Sequence, residues 1–225
     1  MTASFWRQSL AIASRDLMVE GRTREVMLIA LPFGAVALFL APFAFGLELA
    51  LLATVGPPLY WVVGLLFGMQ ITYRSTATES GPWSDLLALL GVDPAARFTG
   101  RALASALLIT GFLGVLAAVM VGLYSPGAMP PIPGMILTVV LFSAGLAMLG
   151  SIASDITIGL RTRTLLAPLL VAPLAAPLLI AANSLWRSLA QETGILTWAL
   201  ILFCIDLVLA VSGVLSARPL MEATR

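Results

Sequence analysis

The sequence predicts an all-α membrane protein of six transmembrane helices, and three observations carry that prediction. The first is composition: 60% of the residues are hydrophobic, only 10% are charged, and the mean hydropathy is +1.04. A water-soluble domain of 225 residues cannot hide that much apolar surface, so lipid must form part of its solvent. The second is segmentation. A span needs roughly 20 mostly apolar residues, and six such runs occur, at about 27–47, 50–72, 102–124, 133–154, 164–184 and 195–217. The third is the placement of Arg. Six spans put residues 1–26, 73–101, 155–163 and 218–225 on one side, and eleven of the twelve Arg lie there, with only Arg187 opposite. Basic residues collect on the cytoplasmic face, so both termini are expected in the cytoplasm of a bacterial-type inner membrane.

The same composition excludes several chemistries. Every basic residue is Arg, with no Lys and no His. A Walker A loop uses its Lys to reach the phosphates, so an ordinary ATPase site is not expected in this chain. Ser-His-Asp triads, His-based metal sites and His haem ligation are likewise ruled out. No catalytic or metal-ligating residue is predicted, and no nucleic-acid partner. Cys204 lies in an apolar run and reads as a packing residue.

Residues 1–26 show no signal-peptide layout, so the first apolar run is expected to be retained as a span. Within them Trp6, Leu10, Ala13 and Leu17 share one helical face while Arg7, Arg15 and Asp16 keep off it. That pattern predicts an interfacial helix anchored by Trp6 in the lipid headgroups; an ordinary polar lead-in is the alternative. The six-span domain follows at 27–217. Its first two runs are separated by Gly46, Leu47 and Glu48, and the Gly56-Pro57-Pro58 break supports the split. Gly64 and Gly68 in the second run allow close helix approach.

Between the second and third runs the cytoplasmic segment is unusual. Ser80-Gly81-Pro82 reads as a helix start. Trp83, Leu86, Leu87 and Leu90 then fall at i, i+3, i+4 and i+7, one apolar face of a short helix at about 82–90 that also carries Asp85. Gly91 is a natural stop, and Asp93-Pro94 caps the helix leading into the third run. The apolar face of 82–90 needs a cover. Spacing leaves two readings: docking into the groove of a soluble partner, or packing on the membrane surface or the chain's own bundle. Pro131 and its neighbours at 125–132 form a short outer turn. In the fifth run Pro168, Pro173 and Pro177 free backbone carbonyls, which suits either a moving, cavity-lining helix or a static kink. Asp206 is the one carboxylate deep inside a predicted span; such residues are costly and mark either function or a local hydrogen bond.

Three stretches together resemble the CcmB family, the permease subunit of the haem exporter of cytochrome c maturation. The first is Arg15-Asp16-Leu17-x-x-Glu20-x-Arg22-x-Arg24-Glu25. The second is Trp61-Val62 followed by Glu79-x-Gly81-x-x-x-Asp85-Leu86-Leu87-Ala88-Leu89, then Asp93 and Gly100-Arg101. The third is Leu160-Arg161-x-Arg163 with Pro173-Leu174-x-x-Pro177-Leu178-Leu179-Ile180. The likeness runs in order through nearly the whole chain. Departures are Arg101 where the family usually has Lys, Gly91-Val92-Asp93 in place of a Pro-containing turn, and Trp83 where an aliphatic residue is usual.

The resemblance implies an ABC-2 exporter-like bundle that binds no cofactor itself. It implies a homodimer working with a separate ABC ATPase (CcmA-like), which supplies the ATP hydrolysis, and with CcmC-like and CcmD-like subunits that handle haem. Their joint output would be release of the haem-loaded chaperone (CcmE-like). Under that resemblance 82–90 becomes the coupling helix. Trp83, Asp85, Leu86, Leu87 and Leu90 would contact the ATPase, with Arg15, Asp16, Glu20, Arg22, Glu79, Arg97 and Arg101 as supporting cytoplasmic charges. Asp206, Pro173 and Pro177 are candidate intramembrane functional residues. An ABC-2 permease for a lipid-like or drug-like cargo and a non-transporting membrane scaffold remain the alternatives.

Overall fold

The structure is a computed structural model and describes residues 4–24, 26–46, 48–78, 91–124, 129–157 and 163–223. Every regular element among them is helical: α1 (Phe5–Thr23), a π-helical turn (Val26–Ala30), α2 (Leu31–Phe45), α3 (Leu49–Thr78), α4 (Pro94–Tyr124), α5 (Ile132–Thr157), α6 (Arg163–Gln191) and α7 (Ile195–Ala223). With no water in the hydrocarbon to satisfy backbone amides, helices are the expected solution for so apolar a chain.

Four segments are each long and apolar enough to cross a bilayer: Leu49–Arg74, Pro94–Tyr124, Ile132–Ile156 and Ile195–Ala217. The predicted first span differs from expectation. It begins with the π-helical turn, and α2 has only 15 residues, about 22 Å at 1.5 Å per residue, short of the hydrocarbon thickness. Together α1 and α2 pass the same test as one pair bent by 52°. The boundary between the first two runs also moves. Gly46 ends α2 with φ +91°, a conformation that suits Gly, whereas Gly56-Pro57-Pro58 lies inside α3 and does not interrupt it. Gly56 serves packing instead: a Cβ there would come 2.7 Å from the Cβ of Tyr124. The predicted third run is extended by several residues at its N-terminal end, and the fourth, fifth and sixth at their C-terminal ends.

The core is a mid-bundle aromatic cluster on an aliphatic bed. Tyr60 and Trp61 are fully buried, and the Trp61 ring lies 4.9 Å from Phe142 and 6.1 Å from Trp186, centroid to centroid. The Tyr60 hydroxyl donates to the Leu113 carbonyl (2.9 Å), and that of Tyr124 donates to the Leu38 carbonyl (2.7 Å). Both phenols thus bury their rings and still satisfy their polar tips. Gly64 and Gly68 do bring α3 close to its neighbours: a Cβ on the first would meet Leu113 of α4, and one on the second Leu146 of α5. The helix α4 packs against α1, α2, α3, α5 and α7, which makes it the central strut. Leu196, Leu200, Phe203, Leu207, Val208, Val211 and Leu215 of α7 point outward, as lipid-facing positions should when tails are as apolar as leucine.

Candidate functional site

The N-terminal start of α4 is where the charged residues gather. Pro94 takes the first helical position, where a missing amide hydrogen costs nothing. The Asp93 carboxylate accepts from the Ala95 amide (3.1 Å), closing the N-terminus. Gly91, at φ +68°, turns the chain into this cap. The Asp93 amide in turn donates to the Gln8 side-chain oxygen (3.1 Å). This bond ties α1 to the residues that immediately follow 82–90.

A close approach continues the contact. A Cβ on Gly100 would lie 2.6 Å from the Ser9 carbonyl oxygen and 2.9 Å from the Ile12 Cβ, so only Gly lets α1 lie on α4 here. The buried face of α1 is therefore Ser9, Ile12 and Ala13. Of the four residues expected to share one membrane-directed face, Trp6 and Leu10 are exposed, Leu17 is half-buried and Ala13 faces α4.

On the same stretch of α4, Arg97 and Arg101 are both buried. The Arg101 guanidinium donates to the Asp155 carboxylate of α5 at 2.5 Å, with side-chain exposures of 3% and 16%. Phe98, between them, lays its ring against Gly213 of α7, where any Cβ would collide with it. Interactions of this kind join α1, α4, α5 and α7 at one end of the bundle. Asp155, Gln8 and the packing role of Gly100 were not singled out from the sequence. The available signal for Asp155 was its place as the lone acid in 155–163. Nothing in the sequence marks Gln8.

The remaining predicted charges sit at the other end of α1. Arg15 and Asp16 approach to 3.8 Å. Glu20 turns its carboxylate back to accept from the Val26 amide at 2.6 Å, while Arg24, in the left-handed region at φ 51°, closes α1 by donating its amide to the Glu20 carbonyl (2.7 Å). Arg22 is exposed. Glu79, Trp83, Asp85, Leu86, Leu87 and Leu90 lie outside the described residues.

Asp206 stands apart from this cluster. It is 6% exposed, midway along α7, and its carboxylate oxygens have no hydrogen-bond partner among the described residues. A Cβ on Gly145 of α5 would run into it, and the same Cβ would press on Leu178 of α6. Pro173 and Pro177 are not brought to it. Both are exposed on the outer face of α6, which runs unbroken through them, while Ala175, Leu178, Ala182 and Leu185 face inward.

This constellation gathers charges at one end of the helical bundle. Comparison with known proteins decides what it belongs to. The CcmB family profile, described as CcmB protein, matches residues 7–220. The chain belongs to the CcmB family. Among its curated relatives is heme exporter protein B of Paracoccus denitrificans, 34% identical over 173 residues, covering 76% of this chain and 78% of the relative. The protein of that name from Rhodobacter capsulatus is 31% identical over 186 residues, covering 82% and 85%. That from Pseudomonas aeruginosa is 30% identical over 174 residues, covering 75% and 77%. With its several apolar helices, this CcmB-family chain is a multi-pass membrane protein.

Proposed function

We propose that this chain is the permease subunit of an ABC-type haem-export complex that serves cytochrome c maturation. The observation that carries the reading is the family match over 7–220, shared with relatives named heme exporter protein B. In this reading the chain crosses the inner membrane six times, with α1–α2 completing the first crossing and α6 the fifth, and both termini are cytoplasmic. It has no ATPase site of its own. A CcmA-like ATPase docks on 82–90, through Trp83, Leu86, Leu87 and Leu90 with Asp85 at the rim. Two copies of the chain form the permease, and CcmC-like and CcmD-like subunits handle haem, so that ATP hydrolysis releases a haem-loaded CcmE-like chaperone.

The cytoplasmic cluster supports a mechanical route for that coupling. Displacement of 82–90 reaches Gly91–Asp93 first. From there Gln8 passes it to α1, the Asp93 cap to α4, and the Arg101–Asp155 pair to α5. The helices that receive it pack side by side rather than through a loose linker, so the end of the bundle responds as one body.

The test is a gentle detergent pull-down of the tagged chain from its native membrane, with partners identified and a haem spectrum recorded. An ATPase together with a haem-bearing membrane subunit is the expected result. An ATPase without haem would transfer the reading to a permease for another cargo. No ATPase from a folded sample would overturn it. Trp83→Ala should cost about 2 kcal/mol of ATPase binding, the scale of a buried aromatic anchor, and leave insertion unchanged.

A further inference from the structure

A cleft of about 130 Å³ opens between α1, α3 and α4, lined by Arg15, Asp16, Val19, Glu20, Thr23, Val26, Ile71, Arg74, Ala104 and Leu108. Its composition is the first clue. The rim carries two guanidiniums and two carboxylates, and the floor, from Val26, Ile71, Ala104 and Leu108, is apolar and largely buried.

Its level in the membrane is the second clue. Arg74 is the one charged residue of α3 and follows its long apolar run, so the rim stands where hydrocarbon gives way to headgroups. The third clue is the neighbouring surface. Met18 and Val19 on one side, and Leu28 and Ile29 of the π-helical turn on the other, are exposed apolar side chains. The polar cleft therefore opens beside a surface suited to acyl chains.

We propose that this cleft binds a phospholipid whose headgroup carries both a phosphate and a primary ammonium. Arg15 and Arg74 face the phosphate, which guanidinium forks recognise well. Asp16 and Glu20 face the ammonium, and the apolar floor receives the glycerol end. Charge decides the class of lipid. An anionic headgroup would meet two carboxylates as well as two guanidiniums, whereas a dipolar one matches both signs, and complementary potentials give selectivity. Glu20 gains a second role, since the carboxylate that would hold the ammonium also holds the Val26 amide. A bound lipid would thereby brace the bend between α1 and α2. The proposal needs only that the end of α3 lies at the membrane surface, and stands whether or not an ATPase docks on 82–90.

The test is lipid retention by the purified full-length chain in mild detergent, read by native mass spectrometry after adding phosphatidylethanolamine, phosphatidylglycerol or phosphatidylcholine at equal concentration. Phosphatidylethanolamine should be retained about tenfold more than either competitor, a difference of about 1.4 kcal/mol. Phosphatidylcholine is the informative control, because it keeps both charges but offers no ammonium hydrogens to the carboxylates. The double variant R15Q/R74Q should lose that preference, whereas R187Q, at the far end of α6, should keep it. Equal retention of the three lipids by the unmodified chain would overturn the proposal, and so would an undiminished preference in a folded R15Q/R74Q. If O-phosphoethanolamine without acyl chains displaces the lipid at equal concentration, the ligand is a free headgroup and the lipid assignment falls.

Discussion

Replacing Arg101 with Leu should be among the most damaging single changes where α1, α4, α5 and α7 meet. The guanidinium lies 2.5 Å from the Asp155 carboxylate, with 3% of its side chain exposed and 16% of its partner's. With an effective dielectric of about 20, two charges at that distance attract by roughly 6–7 kcal/mol before desolvation is subtracted. Removing one member forfeits this attraction, and breaking a buried pair costs about 3–5 kcal/mol. Removing both is different, since a matched apolar pair needs no desolvation. Arg101→Leu and Asp155→Leu should each lower stability by about 3–5 kcal/mol, while the double variant should recover most of the loss. Arg101→Lys keeps the charge and should be mild. The assay is reversible unfolding of the purified chain in mixed detergent micelles, with the four corners of the double-mutant cycle measured side by side. Single losses below about 1 kcal/mol that simply add would refute the argument, because that is how exposed pairs behave.

Four further substitutions test the packing. Gly100→Ala places a methyl against the Ser9 carbonyl and the Ile12 side chain; overpacking of this kind costs about 1–3 kcal/mol. Gly111→Ala and Gly114→Ala, whose added carbons meet nothing within 4 Å, should be neutral or stabilise α4, and thermal melts of the three variants in one detergent give the comparison. Trp61→Ala empties the centre of the aromatic cluster and should cost about 3–5 kcal/mol, read by the same unfolding titration; a loss under about 1 kcal/mol would mean that Phe142 and Trp186 close the gap.

What could be read in advance was whatever depends on one helix alone. Apolar run length located the helices, and Asp93-Pro94 marked the start of α4 because capping is a local reaction between a side chain and nearby amides. Gly64 and Gly68 were legible because a missing side chain is visible in any context. What escaped depends on two helices at once. The buried face of α1 is Ser9, Ile12 and Ala13 rather than the most apolar stripe, because Gly100 on α4 leaves room for a backbone carbonyl. Gly56-Pro57-Pro58 resembles a break, yet the helix continues through it and Tyr124 packs against the Gly. Asp155 has no sequence feature that names Arg101, 54 residues away, as its partner. The depth of Asp206 was readable from its apolar run, but only the packed bundle reveals that Gly145 makes space for it.

The length of α4 carries a mechanical consequence. Its 31 residues extend about 46 Å at 1.5 Å per residue, against a hydrocarbon layer of roughly 30 Å. The surplus is a lever arm, and Gln8, Ser9, Asp155 and Gly213 all meet it near the end where 82–90 joins. A pivot of about 10° about its N-terminal end would carry the opposite end some 8 Å sideways, by the geometry of a rod of that length. Tyr124 sits at that far tip, bonded to the backbone of α2, so a small torque at one end of α4 would emerge as lateral travel at the other.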